Sequence, residues 1–121
     1  MSPLYPKVKY SMFIGSWQSW HAENTWMVEN KIKEGKNVLI CVLDTEQNEK
    51  TPLTANEVEG NIKKHLWRYV GEGAVKVIQI PDIESINFGH HIDYDIIYSQ
   101  DKMDKEVMAS QIRKEIKEEN L

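Results

Sequence analysis

Cysteine is almost missing from this chain: Cys41 is the only one in 121 residues. A single thiol excludes an intrachain disulfide framework and an all-cysteine zinc site, so stability has to come from a buried core. Its place inside an apolar run suits a small buried side chain, and an inert mid-strand thiol disfavours a cysteine nucleophile. At this length a domain hides about two thirds of the surface its extended chain would show, enough for one core without cross-links. An excess of positive charge is missing too. Fifteen basic against nineteen acidic residues give a net charge of −4, so nothing draws the protein towards phosphate backbones and no nucleic-acid partner is expected. No apolar run approaches the roughly 20 residues that cross a bilayer, and the opening segment has two prolines and no signal-like apolar stretch. These absences predict a cytoplasmic protein without a membrane partner, folded as a single domain over residues 1–121.

What is present is a switching hydrophobic period. Tyr10–Ile14 reads as a strand ending at Gly15. Glu23–Glu34 reads as a surface helix with Met27, Val28 and Ile32 inward and Gly35 as its stop. Val38–Leu43 is continuously apolar, as in a parallel strand covered on both faces. A polar loop from Asp44 to Leu53 leads to Thr54, which with Glu57 makes a capping box. Val58, Ile62, Leu66 and Tyr69 then recur at helical spacing, Gly71 and Gly73 end that helix, and Val75–Ile80 is a third strand closed by Pro81. After an irregular stretch, Tyr94–Tyr98 is expected as a short fourth strand. A helix from about Glu106 should carry Met108, Ile112 and Ile116 on one stripe. Alternating strands and helices predict an α/β fold with right-handed crossovers, whose ligands bind beyond the C-terminal ends of the strands, where Gly15, Asp44 and Pro81 fall.

The window Gly15–Asn24 stands out chemically. Trp17, Trp20 and Trp26 cluster in or just after it, and His21 stands where the first helix should begin. Unpaired N–H groups and the positive dipole end at a helix N-terminus suit a phosphate, which an imidazole could also contact. The same residues also read as aromatic packing under a loop, with His21 in a structural hydrogen bond.

Gly15–Asn24 resembles the G-R-F-Q-P-F-H-x-G-H signature of the nucleotidylyltransferase superfamily. Gly15, Gln18 and His21 match, Trp17 and Trp20 replace the two phenylalanines, and Asn24 stands at the second histidine. Pro52–Glu57 is similar to the P-[F/L]-T-x-x-E-R segment, with Val58 at the arginine. Ala109–Arg113 resembles the tail of I-S-x-T-x-I-R, with Met108 at its serine and Ser110 at its threonine. Ile80–Tyr94 resembles the I-P-D-I-x-x-I-x-x-G-R-x-V-G-Y segment of small cytidylyltransferase-like domains. The four stretches occur in the family's order and span nearly the whole chain.

The resemblance implies a Rossmann-like three-layer fold with a parallel sheet of about four to five strands. It implies binding of a nucleoside triphosphate, ATP or CTP, with Mg2+ carried by the phosphates, and nucleotidyl transfer to a small phosphorylated acceptor with release of pyrophosphate. His21, Asn24 and Arg113 would be the catalytic residues. Gly15, Ser16, Trp17, Gln18, His21, Gly89, His90, Ser110 and Arg113 would line the nucleotide, and a homodimer is the implied state. Against the pattern, Glu23 replaces a glycine, Ser16, Val58 and His90 each replace an arginine, and Asp93 replaces a glycine. Asn24 cannot carry the charge of the histidine it replaces. A second reading is therefore a nucleotide-binding or interaction module without turnover.

Other residues invite plainer readings. His90 and His91 with Asp93 and Asp95 have metal-ligand chemistry, yet neighbouring histidines on one loop rarely converge, so no dedicated metal site is expected. Lys50 reads as a surface lysine, Lys63 and Lys64 as a solvated helix face, and His65 as structural.

Overall fold

The computed structural model describes residues 8–89 and 95–97. The chain divides into two compact units, Met1–Asp82 and Ile83–Leu121. The first runs β1 (Tyr10–Gly15), α1 (Ala22–Lys33), β2 (Asn37–Asp44), α2 (Ala55–His65), α3 (Trp67–Gly71) and β3 (Val75–Pro81). Its three strands form one parallel sheet in the order β1-β2-β3, the α/β arrangement that the alternating pattern predicts.

Strand register decides which side chains share a face. Phe13, Ile40 and Val77 align across the sheet, as do Ser11, Val38 and Val75 one pleat earlier. Val28 of α1 and Val58 and Ile62 of α2 pack on this face, forming one core with Val38, Ile40, Val42, Val75 and Val77. Both helices cover the same side because strands taken in sequential order with crossovers of one hand place them there. The opposite face carries Met12 and Ile14 of β1, Leu39, Cys41 and Leu43 of β2, and Ile78 and Ile80 of β3. On it Met12 is 55% and Ile78 40% exposed. The apolar run of β2 predicts cover on both faces; among the described residues, helices cover one.

The helix ends follow their local chemistry. Gly35 ends α1 with φ of 81°, a left-handed conformation that glycine adopts without strain, and its N–H donates to Ile32 O at 2.9 Å. Thr54 Oγ1 accepts from Glu57 N at 3.1 Å, and Glu57 Oε1 accepts from Thr54 N at 3.2 Å, the reciprocal box expected at the start of α2. The single helix expected through Tyr69 instead bends at Leu66, where φ is −112° and ψ 24°. Hydrogen bonding continues through the bend, since Leu66 N donates to Ile62 O and Val70 N to Leu66 O, both at 2.9 Å. Leu66 thereby stays in the core while Trp67 is left 71% exposed. Tyr69 turns back to donate its hydroxyl to Glu29 Oε2 at 2.6 Å, which ties α3 to α1 and holds the Tyr69 hydroxyl above its usual pKa.

Within the second unit, the described residues Ile83–Gly89 and Asp95–Ile97 form neither helix nor strand. The fourth strand expected at Tyr94–Tyr98 is not formed over its described part, Asp95–Ile97, where Ile96 and Ile97 are 53% and 54% exposed. A short apolar run has strand propensity, but a ladder partner decides whether it becomes one. The sheet therefore has three strands among the described residues, against the four to five implied by the resemblance. The helix expected from about Glu106 lies outside the described residues. No helix among the described residues is long and apolar enough to cross a membrane.

Candidate functional site

Because all three strands run the same way, Gly15, Asp44 and Pro81 end at one edge of the sheet. The turn from β1 leads there into α1 at His21, and the loop from β2 leads into α2 at Thr54. Two helix N-termini, each with the partial positive charge of its helix dipole, therefore open at that edge.

The first turn is closed by its own aromatics. An added Cβ on Gly15 would lie 3.0 Å from Trp17 Cε2 and 3.2 Å from Cδ2 and Cζ2, so the indole rests directly on the glycine. Trp17 Nε1 donates to Cys41 O of β2 at 3.1 Å. Its backbone has φ of 49°, a left-handed conformation costing a bulky L-residue about 1–2 kcal/mol, which the surrounding contacts must outweigh. Trp20 meets Trp17 edge to face at a centroid distance of 5.4 Å and donates its Nε1 to Thr25 Oγ1 at 2.8 Å. Only 7% of Trp20 is exposed.

His21 is the N-cap of α1 and is also 7% exposed. Its carbonyl accepts from Asn24 N at 3.0 Å, and its N–H donates to Asn24 Oδ1 at 2.9 Å. The Asn24 side-chain oxygen is thus engaged in holding the helix start. Glu23, in the first turn of α1, is buried to 8% exposure. Its carboxylate complements the helix dipole, and for the same reason competes with any anion brought to that end.

Gln18 reaches across the edge. Its Nε2 donates to Leu53 O at 3.0 Å while its Oε1 accepts from Leu53 N at 2.8 Å, a two-point bond spanning 35 residues. The loop that Leu53 closes is held by its own polar groups. Asn48 Oδ1 accepts from Lys50 N at 2.8 Å and Thr51 N at 3.0 Å, Asn48 N donates to Thr51 O at 3.2 Å, and Gln47 Nε2 donates to Pro52 O at 2.9 Å.

The structure therefore brings Gly15, Ser16, Trp17, Gln18, His21 and Asn24 together in one turn. The polar atoms of Trp17 and Gln18 face main-chain partners, and Asn24 Oδ1 faces its own helix. Gly89 is exposed and belongs to the second unit, while His90, Ser110 and Arg113 lie outside the described residues. Leu53, Thr25 and the Cys41 carbonyl were not among the residues that the sequence singles out. An apolar residue used through its backbone leaves no side-chain signal. Burial pushes the Cys41 thiol above its usual pKa, away from a nucleophile's range. A separate shallow cavity of about 210 Å3, lined by Glu29, Leu66, Trp67, Arg68 and Tyr69 among others, includes none of the first-turn residues.

No protein-family model, curated protein or solved structure matches the chain.

Proposed function

We propose that the protein binds a nucleoside triphosphate, ATP or CTP, at the C-terminal edge of its parallel sheet, as its resemblance to nucleotidylyltransferases implies. The observation that carries this reading is the meeting of strand ends with two helix N-termini, those at His21 and Thr54, at one edge. Oriented N–H groups at such ends suit a polyphosphate. Magnesium would arrive on the phosphates and remain held by them and by water, where it neutralises charge. The matching architecture is a Rossmann-like three-layer sheet of about four to five strands. The apolar face bearing Met12, Leu39 and Ile78, which no helix among the described residues covers, supports it, because parallel sheets are normally covered on both sides.

Transfer to a small phosphorylated acceptor is the reaction this family would perform. Binding without turnover is favoured here by the state of the first turn. Asn24, at the position of the second histidine, has its Oδ1 engaged by the His21 N–H, and the Glu23 carboxylate lies in the same helix turn. Both features lower the positive potential available to a transition state whose charge must be neutralised.

Isothermal titration with Mg-ATP and Mg-CTP tests the proposal, the expected result being saturable binding of at least one. Absence of binding by both at millimolar concentration would refute it. A pyrophosphate-release assay across phosphorylated acceptors then separates binding from transfer, with no release above background expected.

A further inference from the structure

We infer that Gln18 is a positioning residue, which spaces the two helix N-termini at the sheet edge and does so without touching the ligand itself. It lies three positions before the N-cap of α1 at His21, and its partner Leu53 immediately precedes the N-cap of α2 at Thr54. Both ends of its amide are committed, the donor to Leu53 O and the acceptor to Leu53 N. This pairing imitates two rungs of a backbone ladder between segments that share no ladder of their own. One side chain therefore fixes how far apart the two sets of helix N–H groups stand.

The site around it makes that spacing matter. Trp17 is pinned by its indole to the Cys41 carbonyl, so the first turn has little freedom to adjust by itself. The Asn48 hydrogen bonds make the 44–53 loop a small unit that moves as a whole if Leu53 is released. Gln18 is the tie between these two bodies. Only the effect on ligand affinity rests on the nucleotide-binding reading; the tie itself does not.

Amide exchange and titration on Gln18→Ala and Gln18→Glu test the inference. In the ligand-free protein, Gln18→Ala should speed exchange of the Leu53 amide at least tenfold relative to wild type, with the Ile62 amide in α2 unchanged as an internal control for folding. Gln18→Glu keeps an acceptor for Leu53 N but sets a carboxylate oxygen against Leu53 O. Protonation restores the donor, so the ratio of variant to wild-type exchange at Leu53 should fall towards one as the pH is lowered through the carboxyl range near about 4.3. A purely packing role would give no such recovery. Equal Leu53 exchange in wild type and Gln18→Ala, or a Gln18→Glu ratio flat with pH, overturns the tie. In the second arm, Mg-ATP should bind at least tenfold more weakly to Gln18→Ala than to wild type. Affinity within twofold alongside a loosened Leu53 overturns the positioning role. If wild type binds neither Mg-ATP nor Mg-CTP, the nucleotide reading fails, while the exchange arm still decides the tie.

Discussion

The two segments that meet at the sheet edge are both ordered, by opposite physics. The first turn, from Gly15 to His21, is held by buried aromatic surface, with Trp20 and His21 each 7% exposed and Trp17 lying on Gly15. The loop from Asp44 to Leu53 is mostly exposed and is held by hydrogen bonds centred on Asn48. An apolar lock loses contact energy that water cannot return, whereas a broken exposed hydrogen bond is largely replaced by water. The turn should therefore be the energetically stiff side of the site and the loop the adjustable side.

The largest effect should come from Trp20→Ala. It removes a nearly buried indole, its edge-to-face contact with Trp17 and its bond to Thr25. A loss of about 3–5 kcal/mol is expected, read as a lower urea midpoint with an unchanged slope. A loss below about 1 kcal/mol would mean that the aromatic lock is not what orders the turn, and the contrast with the loop would disappear.

Asn48→Ala addresses the other side and should be smaller. It deletes the acceptor shared by Lys50 N and Thr51 N, both in exposed backbone that water can reach. The expected cost is about 0.5–1.5 kcal/mol. Exchange at Thr51 should speed up, while Val58 and Ile62 in α2 keep their protection. Loss of protection throughout α2 would show that the loop carries part of the fold and is not adjustable.

Much of this contrast lies within reach of the sequence, and the remainder is hidden for identifiable reasons. Thr54 and Glu57 announce the start of α2 because a capping box is local, and Gly35 announces the end of α1 for the same reason. The three strands follow from hydrophobic period. The gathering of Gly15, Ser16, Trp17, Gln18, His21 and Asn24 follows from their adjacency in the chain. The bond from Gln18 to Leu53 is not legible, because it spans 35 residues and uses only the leucine's backbone. Nor is the bend at Leu66 legible, since no glycine or proline marks it and the apolar spacing runs straight across it to Tyr69. The run Val38–Leu43 is equally apolar on both faces. Composition cannot say that α1 and α2 fall on the same one; strand order decides that.

Lys50→Ala should have the smallest effect of all, and it sharpens what adjustable means for the loop. The backbone N–H of Lys50 is engaged by Asn48 Oδ1, a bond that alanine preserves, and among the described residues its ammonium has no carboxylate partner. Stability should stay within about 0.5 kcal/mol of wild type, the usual range for an exposed substitution. Mg-ATP affinity should stay within twofold, since the charge of an exposed side chain is screened by salt at physiological ionic strength. On this reading the loop serves the site through the position of its backbone at Leu53, with charge playing no part. A tenfold loss of affinity on Lys50→Ala, strongest at low salt, would instead place the loop's own ammonium against the phosphates. The weight of recognition would then move from the aromatic turn to the polar loop.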